Sequence, residues 1–264
     1  MNFIRYSNFK KESVLFVFSI FVLISAPSCF PDNEIDERVS GIRDAKRTVG
    51  LSANEILSAD QFISMDLEIQ YMQGYQPSNR TIENLESWLE KLIHKPAGIN
   101  IIMSEIPALG QEEYTLQDIR AIEDENRSSY NIGNKLGVYI LILDGYFNED
   151  ESDRFSFGVS HRNTSLVLLG KRIKENSGKP GRPSHEQLES TIFLHEFGHL
   201  LGLVNLGSDM VKDHEDSENM NHCSNEDCLL YWAVETSRIF HLIDGAIPEL
   251  DQNCLDDLKA NGGK

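Results

Sequence analysis

The sequence predicts an α/β fold in which a twisted mixed sheet packs against two long helices and a small C-terminal subdomain follows. Two observations carry this prediction. The chain has 264 residues, of which 40% are hydrophobic, so it can bury one sizeable core. Segments with strand patterns alternate with segments of helical periodicity, which is typical of a single α/β domain. We expect this domain to span residues 61–264.

Strand segments are recognised by alternation of apolar and polar residues or by short continuous apolar runs. In chain order they cover residues 62–72, 98–106, 136–147 and 156–170. The third segment, "LGVYILILDGYF", is too continuously apolar to face water on either side, so we expect it in the centre of the sheet. The fourth carries polar residues and is expected to be one more strand, or a hairpin, at an edge.

Helical segments are recognised by apolar residues three and four positions apart. They cover residues 76–96, 114–127 and 183–203. Pro96 ends the first of them. The last begins with Ser184 and Gln187, which resemble a capping box, and its broad apolar face predicts a helix packed into the core.

The N-terminus has the pattern of a targeting segment. Basic residues precede an apolar stretch over residues 14–25, which is shorter than the roughly 20 residues that span a bilayer. The stretch runs into "APSC", which ends at Cys29 and resembles a bacterial lipobox, whose cysteine is lipidated. We expect residues 1–29 to be a signal peptide and residues 30–60 to be a tether and lead-in. An ordinary signal peptide with an incidental cysteine is the alternative.

The N-terminal segment and the composition together predict where the protein is located and what it binds. The protein is expected to be exported and lipid-anchored in the bacterial cell envelope, at the outer membrane or cell surface. Its net charge of −18 argues against nucleic acid and against adhesion to anionic lipid, because both present negative surfaces. The membrane is therefore expected as a partner only through the N-terminal lipid.

The remaining cysteines lie in the C-terminal part of the chain. In an exported protein disulfides persist, and Cys223 and Cys228 are close enough in sequence to staple a short loop. We predict a disulfide between them, which leaves Cys254 as a buried free thiol. A disulfide between Cys254 and either of the other two is the alternative.

The stretch "HEFGHLLGLVN", residues 195–205, carries the candidate chemistry. His195 and His199 are one helical turn apart, so both imidazoles can coordinate one ion from the same face. Glu196 is placed to take a proton from a zinc-bound water. Gly202 follows where the extended form of this motif ends its helix, but Asn205 stands where that form has a third histidine ligand.

At this point the chain resembles metzincin-clan zinc metallopeptidases, which have a zincin-like fold. "HCSNEDCLLYW", residues 222–232, is similar to the archaemetzincin signature in the register of His222, Cys223 and Cys228. Residues 184–232 also look like a group of bacterial lipoproteins described as membrane metalloproteases. The resemblance implies a Zn²⁺-dependent metalloendopeptidase acting on peptides or proteins, with His195, His199 and His222 as ligands and Glu196 as the catalytic base.

Two departures from the archaemetzincin pattern leave the third ligand open. Nineteen residues separate Gly202 from the histidine–cysteine pair, which follows three residues after the glycine in the archaemetzincin pattern, and Leu230 replaces the methionine that forms the floor under the metal. His214, within the insertion, is the alternative ligand. Asn205 is a weak zinc ligand and is expected to cap the helix end instead. The resemblance also implies that an edge strand within residues 156–169 binds an extended peptide.

Other interpretations of the same residues follow. A non-catalytic surface lipoprotein that retains the fold to bind a partner is the alternative from another class of function. A different zinc protease would take its third ligand from a downstream carboxylate such as Glu235, although the early Gly202 disfavours it. Tyr231 is a weak candidate for stabilising the oxyanion. The remaining histidines lack ligand spacing and are expected to be ordinary surface or satisfied core residues, namely His94, His161, His185 and His241.

Overall fold

The computed structural model describes residues 32–148, 155–235 and 246–264. Within them the strands are β1 (Ser64–Met72), β2 (Ile99–Ile106), β3 (Glu113–Tyr114), β4 (Lys135–Leu143), β5 (Tyr146–Phe147), β6 (Gly158–Arg162) and β7 (Ser165–Leu169). The helices are α1 (Asp32–Asp44), α2 (Ala53–Leu57), α3 (Asn79–Leu92), α4 (Leu116–Asn126), α5 (Gly170–Glu175), α6 (His185–Leu200) and α7 (Gln252–Ala260), with a 3₁₀ turn at Trp232–Glu235.

The main sheet has five strands in the order β2-β1-β4-β7-β6. The first four are parallel, and β6 pairs antiparallel with β7 at the edge. The predicted α/β class with a mixed sheet is confirmed, and so is the central position of β4, whose residues 136–143 are all buried. Residues 156–170, for which the sequence predicts either one strand or a hairpin at an edge, form a hairpin. Its first strand, β6, lies at the edge, whereas its second strand, β7, lies inside the sheet.

Two apolar layers cover the sheet. On one face, α3 and α6 pack against alternate residues of β1 and β4, with Leu85, Leu89 and Ile192 among the buried side chains. On the other face, α4 packs against the remaining alternate residues, with Ile119 beside Tyr139 in the same cluster. The two long helices predicted from periodicity are α3 and α6, and they lie on the same face.

Helix α6 passes through the larger of these two layers. Its residues from Leu188 to Leu200 are all buried, which matches its apolar sequence. Ser184 begins the helix by accepting a hydrogen bond from the backbone of Gln187 (3.1 Å). The Gln187 side chain donates to the carbonyl oxygen of Ala246 (3.1 Å), so only the serine half of the predicted capping box forms.

Residues 32–60, which the sequence assigns to a tether and lead-in, contain two helices and contact the main domain. Residues 32–44 form α1, and Ile56 and Leu57 of α2 are fully buried in the main core. Gly50, at a φ of 83°, lies so close to the backbone of Leu206 that a Cβ there would sit 1.3 Å from its carbonyl oxygen. These segments contain too few apolar residues to produce a periodicity, so their packing had no sequence signal.

The predicted signal peptide over residues 1–29, including Cys29, lies outside the described residues. Along the part of the chain that is described, no helix combines the length and the apolar character needed to cross a membrane.

The chain after α6 covers one end of that helix. Its described parts, 201–235 and 246–264, contribute Leu203, Leu230, Val234 and Leu258 to the same apolar cluster as the sheet and α6. The predicted C-terminal subdomain therefore shares the core of the main domain, and it positions loop residues over the motif helix.

Candidate metal centre

Helix α6 presents two imidazoles toward one point. Nε2 of His199 lies 3.2 Å from Nε2 of His195. Nδ1 of His195 donates to the carbonyl oxygen of Leu229 (2.7 Å), which leaves the lone pair of Nε2 directed at the shared point. Histidine ligands commonly donate their second nitrogen to a carbonyl in this way, which fixes the tautomer and the orientation of the ring.

The loop after α6 brings a third imidazole to the same point. The His222 ring is stacked with that of His195 at 5.5 Å between centroids, and lies 5.1 Å from that of His199. Nδ1 of His222 lies 3.1 Å from the carbonyl oxygen of Met220. When Nδ1 donates its hydrogen to this oxygen, the lone pair of Nε2 is available to bind an ion. His195, His199 and His222 can each offer one nitrogen such that all three lie within 4.8 Å of one another.

This donor set fits zinc. A tetrahedral ion with zinc–nitrogen bonds of about 2.0–2.1 Å separates its nitrogen ligands by about 3.3 Å. The observed 3.2 Å between the two Nε2 atoms of α6 is close to that value. Three imidazoles without a fourth protein ligand are also the composition of a catalytic zinc site, in which one position stays open.

The carboxyl group of Glu196 lies beside the three rings and is held by β6. Ser160 Oγ lies 3.0 Å from Glu196 Oε2 and 2.8 Å from the Glu196 carbonyl oxygen, so the hydroxyl can donate to either. A Cβ at Gly158 would lie 2.7 Å from Glu196 Cγ, so only glycine leaves room for this side chain. The edge strand thus fixes the carboxylate next to the histidines.

These groups border a cleft of about 360 Å³. Glu196, His199 and His222 lie in its wall together with Gly158, Val159 and Ser160 of β6, and Val49, Phe147, Ser156, Leu206 and Asn221 complete the lining. The outer edge of β6 has no strand partner among the described residues. Such an edge can accept an extended peptide by strand addition. Tyr231 is not among the lining residues.

Leu230 forms an apolar floor beneath the motif helix. A Cβ at Gly198, between the two histidines of α6, would lie 2.7 Å from Leu230 Cδ2. Leu230 is fully buried, and its carbonyl oxygen accepts a hydrogen bond from the backbone of Cys223 (2.8 Å). The leucine thus packs where the resemblance places a methionine.

The two alternative ligands lie elsewhere. His214 is buried, with Nε2 2.7 Å from Asp257 Oδ2 and Nδ1 3.4 Å from Cys223 Sγ. The amide of Asn205 donates to Glu215 Oε2 (3.4 Å), so the expectation that it caps the helix end is wrong. Gly202, at a φ of 75°, ends the helix instead by donating to the carbonyl oxygen of His199 (3.0 Å).

Glu215 connects Asn205 to the loop that carries the third imidazole. Its other oxygen accepts a hydrogen bond from the backbone of Asn221 (2.7 Å), the residue before His222. Asn221 has a φ of 66°, a conformation that asparagine tolerates better than most residues. Asn205 thus supports the position of His222 through a carboxylate.

A second group of candidate ligands lies behind the loop. His214, Cys223, Asp251 and Cys254 offer donor atoms that all lie within 4.8 Å of one another. Cys228 Sγ lies 3.7 Å from Cys254 Sγ. We call His214, Cys223, Cys228, Asp251 and Cys254 the thiol group, and its imidazole, thiol and carboxylate donors could hold a metal ion.

The predicted disulfide between Cys223 and Cys228 is wrong, because all three cysteines are free and buried. Hydrogen bonds from Cys223 first, and then from Cys254, lower the pKa of the Cys228 thiol. Burial opposes protonation of His214, but hydrogen bonds to Asp257 and Cys223 outweigh it and raise the pKa of that imidazole. Close spacing of two cysteines in sequence did not distinguish a disulfide from a set of interacting thiols.

Sequence reasoning missed the residues that support the site from a distance. Gly158 and Ser160 lie in the predicted edge segment, but nothing in that segment marks them as neighbours of Glu196. Asp251 and Asp257 had no signal beyond their presence in an acidic chain. Gly158 and Ser160 are recognised as neighbours of Glu196 only from the contact between β6 and α6 in the folded protein.

No protein-family model and no curated protein matches the chain. Among solved structures, the chain is similar to archaemetzincin from Methanopyrus kandleri, with 15% identity over 75% of this chain and 96% of that one, at a TM-score of 0.49. It is also similar to a zinc-dependent peptidase from Methanocorpusculum labreanum (15% identity, 73% and 99% covered, TM-score 0.46). Metalloproteinase-II from Bacteroides fragilis shares 14% identity over 77% of this chain and 54% of that one, at a TM-score of 0.40.

Proposed function

We propose that the protein is a zinc-dependent metalloendopeptidase that hydrolyses peptide bonds of an extended substrate. The observation that carries this proposal is the convergence of three imidazoles beside a buried carboxylate in an open cleft. His195, His199 and His222 would hold the ion. When bound, zinc supplies a Lewis acid that polarises the substrate carbonyl and lowers the pKa of a water molecule.

Glu196 acts as general base in this proposal. Its carboxylate accepts a proton from the attacking water and delivers that proton to the leaving nitrogen. Ser160 orients the carboxylate through its hydroxyl, and Gly158 leaves the space in which it lies. Because the side chain is buried and held from β6, it needs little reorganisation before it takes the proton.

The edge strand positions the substrate. Strand β6 runs directly beside Glu196 and offers backbone donors and acceptors along its open edge. A peptide paired with β6 would place one of its carbonyl groups over the three imidazoles, in the cleft. The proposed substrate is therefore a peptide or an unfolded segment of a protein in extended conformation.

The test combines zinc analysis with peptide cleavage on the purified full-length protein. We expect about one equivalent of zinc in the cleft and cleavage of an unbiased peptide mixture. The Glu196→Gln variant should keep that zinc and lose about 10²- to 10⁴-fold in activity, the usual range for a missing general base. The His199→Ala variant should lose the cleft zinc, whereas His94→Ala, at an exposed histidine away from the site, should match the native protein.

Two results would contradict the proposal. A full equivalent of cleft zinc retained in His199→Ala would remove the metal assignment. Zinc binding without cleavage of any peptide would favour a surface protein that uses this fold to bind a partner.

We also propose that the protein is exported and anchored in the cell envelope through lipid on Cys29. The apolar run over residues 14–25 that ends in "APSC" supports this. The Cys29→Ser variant, expressed in a bacterial host, should leave the membrane fraction. Persistent membrane association of that variant would indicate an uncleaved N-terminal anchor instead.

A further inference from the structure

A second cavity, of about 380 Å³, continues from the cleft along β6. The two share Val49, Val159 and Ser160 in their walls. We call the second cavity the basic pocket. Its lining consists of Lys46, Arg47, Thr48, Val49, Leu116, Arg120, Val159, Ser160, His161 and Arg162. A peptide that pairs with β6 at the cleft would therefore extend directly past this pocket.

The charge of the basic pocket is opposite to that of the protein. Its lining includes the four permanent cations Lys46, Arg47, Arg120 and Arg162, and no carboxylate. The whole chain has only 24 lysines and arginines against 42 acidic residues. Four cations around one cavity in such a chain create a local positive potential, and a cavity of this kind attracts anions.

Neighbouring carboxylates neutralise part of this charge from outside the cavity. Lys46 and Arg162 both pair with Asp124, at 2.8 and 2.6 Å, and Arg162 also lies 3.0 Å from Glu123. A carboxylate set back from the lining orients the cations, but does not occupy the cavity itself.

Arg47 pairs in the same way with Glu55 at 2.7 Å.

Arg120 differs from Lys46, Arg47 and Arg162, which all pair with carboxylates. Its one described hydrogen bond runs from Nη2 to the carbonyl oxygen of His161 (3.0 Å), and no carboxylate among the described residues lies within ion-pair distance of it. Most of the donors of its guanidinium group remain available to a ligand, since arginine carries five.

His161 adds an unusual buried group. Its side chain is fully buried, yet neither ring nitrogen has a hydrogen-bond partner in the described part of the chain, and Glu123 Oε2 lies 3.8 Å from Nδ1. Burial, and then the charges of Arg162 and Arg120, lower the pKa of His161 to about 3, so its ring is neutral. His161 is thus a core histidine, as expected, but its ring has no protein partner among the described residues. Buried polar groups that lack a partner are rare and suggest a ligand or an ordered water.

We propose that the basic pocket is a specificity site that takes an acidic side chain of the peptide substrate, with Arg120 as the main contact. This proposal rests on the proposed peptidase function. Ser160 contacts Glu196 and marks the position of the reaction, and Arg162 lies two residues farther along β6. A strand advances about 3.3 Å per residue, so the pocket begins at Ser160 and reaches about 7 Å along the strand to Arg162. The acidic residue is therefore expected within about three positions of the cleaved bond.

The position of the pocket favours a peptide carboxylate over other anions. An anion bound there alone would use the cations but not the adjoining strand edge, whereas a peptide would use both. A carboxylate could come from an aspartate or glutamate side chain or from the C-terminus of a substrate. We favour the side chain, because the proposed function is that of an endopeptidase.

The test compares cleavage of matched peptides by the full-length, zinc-loaded protein. In one peptide series glutamate, and in the other glutamine, occupies each position within four residues of the cleaved bond. A hydrogen-bonded charge pair contributes about 1.5–3 kcal/mol, so kcat/KM should be about 10- to 100-fold higher with glutamate at one or two positions. Peptides with amidated C-termini should keep this preference, and its loss on amidation would overturn the side-chain assignment.

Variants then place the preference in the pocket. In Arg120→Gln the ratio of kcat/KM between the glutamate and glutamine peptides should fall to near one. In Arg120→Glu a peptide with lysine at the same position should be cleaved faster than the glutamate peptide. Arg80→Gln neutralises an arginine exposed on α3 and should keep the native ratio. Thermal unfolding of each variant checks that the fold is retained. An unchanged ratio in Arg120→Gln would overturn the proposal.

A binding measurement separates this proposal from the peptidase function. Fluorescence anisotropy with Glu196→Gln reports peptide binding without cleavage. Tighter binding of the glutamate peptide, reduced by Arg120→Gln, supports the pocket even if no peptide is cleaved. Cleavage that is equal for both peptide series would overturn the pocket and leave the peptidase function standing.

Discussion

The three-histidine site and the thiol group differ in exposure although they share one loop. His222 and Cys223 are consecutive residues, yet His222 is half-buried at the cleft and Cys223 is fully buried on the opposite side. Successive side chains of an extended segment point to opposite sides, which allows one loop to serve both groups. The first group is open to a substrate, whereas the second is enclosed by the core. Similar donor residues thus lie in different environments, depending on which side of the loop they occupy.

The largest expected effect separates the two histidines of the inserted loop. His222→Ala should lose the cleft zinc and more than about 100-fold in activity, because two protein ligands hold the ion weakly. His214→Ala should keep cleft zinc and activity but lose about 3–5 kcal/mol of unfolding free energy, because Asp257 stays buried without its partner. Zinc analysis and denaturant unfolding measure both. If His214→Ala loses the cleft zinc while His222→Ala keeps it, then His214 and not His222 is the third zinc ligand.

The second prediction concerns the support of the open site. In Gly158→Ala the new methyl group would lie 2.7 Å from Glu196 Cγ and displace the carboxylate. A displacement of about 1 Å can cost about 100-fold, so we expect kcat to fall by about that factor. Zinc content should not change, because no imidazole moves. A fall in zinc equal to the fall in activity would show that β6 supports the ligands as well as the base.

Leu230 contacts the motif helix and the thiol group, and it provides the third prediction. Its side chain packs under Gly198, and its backbone N–H lies 3.4 Å from Cys228 Sγ. Leu230→Ala should destabilise the protein by about 2–5 kcal/mol, the range for truncating a fully buried leucine. Leu230→Met should cost less than about 1.5 kcal/mol, because the two side chains have similar volumes. Urea unfolding compares the two. An equal loss in both variants would indicate that shape, and not volume, is required there.

The smallest effect is expected in the enclosed group. Cys254→Ser places a hydroxyl in the core where the thiol is fully buried, at a cost of about 1–3 kcal/mol. Activity per folded molecule should stay within about twofold of the native value, since Cys254 does not line the cleft. Cleavage assays well below the unfolding midpoint measure this. A large loss of activity would show that the two groups are coupled through their common loop.

The sequence was sufficient for the parts of this molecule that depend on local patterns. The strands of the sheet, α3, α4 and α6 follow from periodicity, and the pairing of His195 with His199 follows from one turn of helix. Placement of His222 at the same point required a structure, because the sequence left His214 as an alternative ligand. Its role as a ligand stays a prediction.

Long-range arrangements account for what could not be predicted. The thiol group draws its members from residues 214–254, and hydrogen bonds between distant segments bring them together. The basic pocket joins the segment after α1 to α4 and β6, so its charges are scattered in the sequence. Local spacing of charged residues gives no indication of such clusters, since only tertiary packing determines which of them are neighbours.

The close approach of Gly50 to Leu206 bears on how much of the N-terminal segment the folded domain needs. Residues near Gly50 border both the cleft and the basic pocket, through Val49 and Arg47. A proteolytic cut before residue 45 would leave these walls attached to the domain. A cut between residues 50 and 57 would separate them from the core, and a recombinant fragment that begins at Gln61 would lack them altogether. Expression fragments should therefore begin before α1.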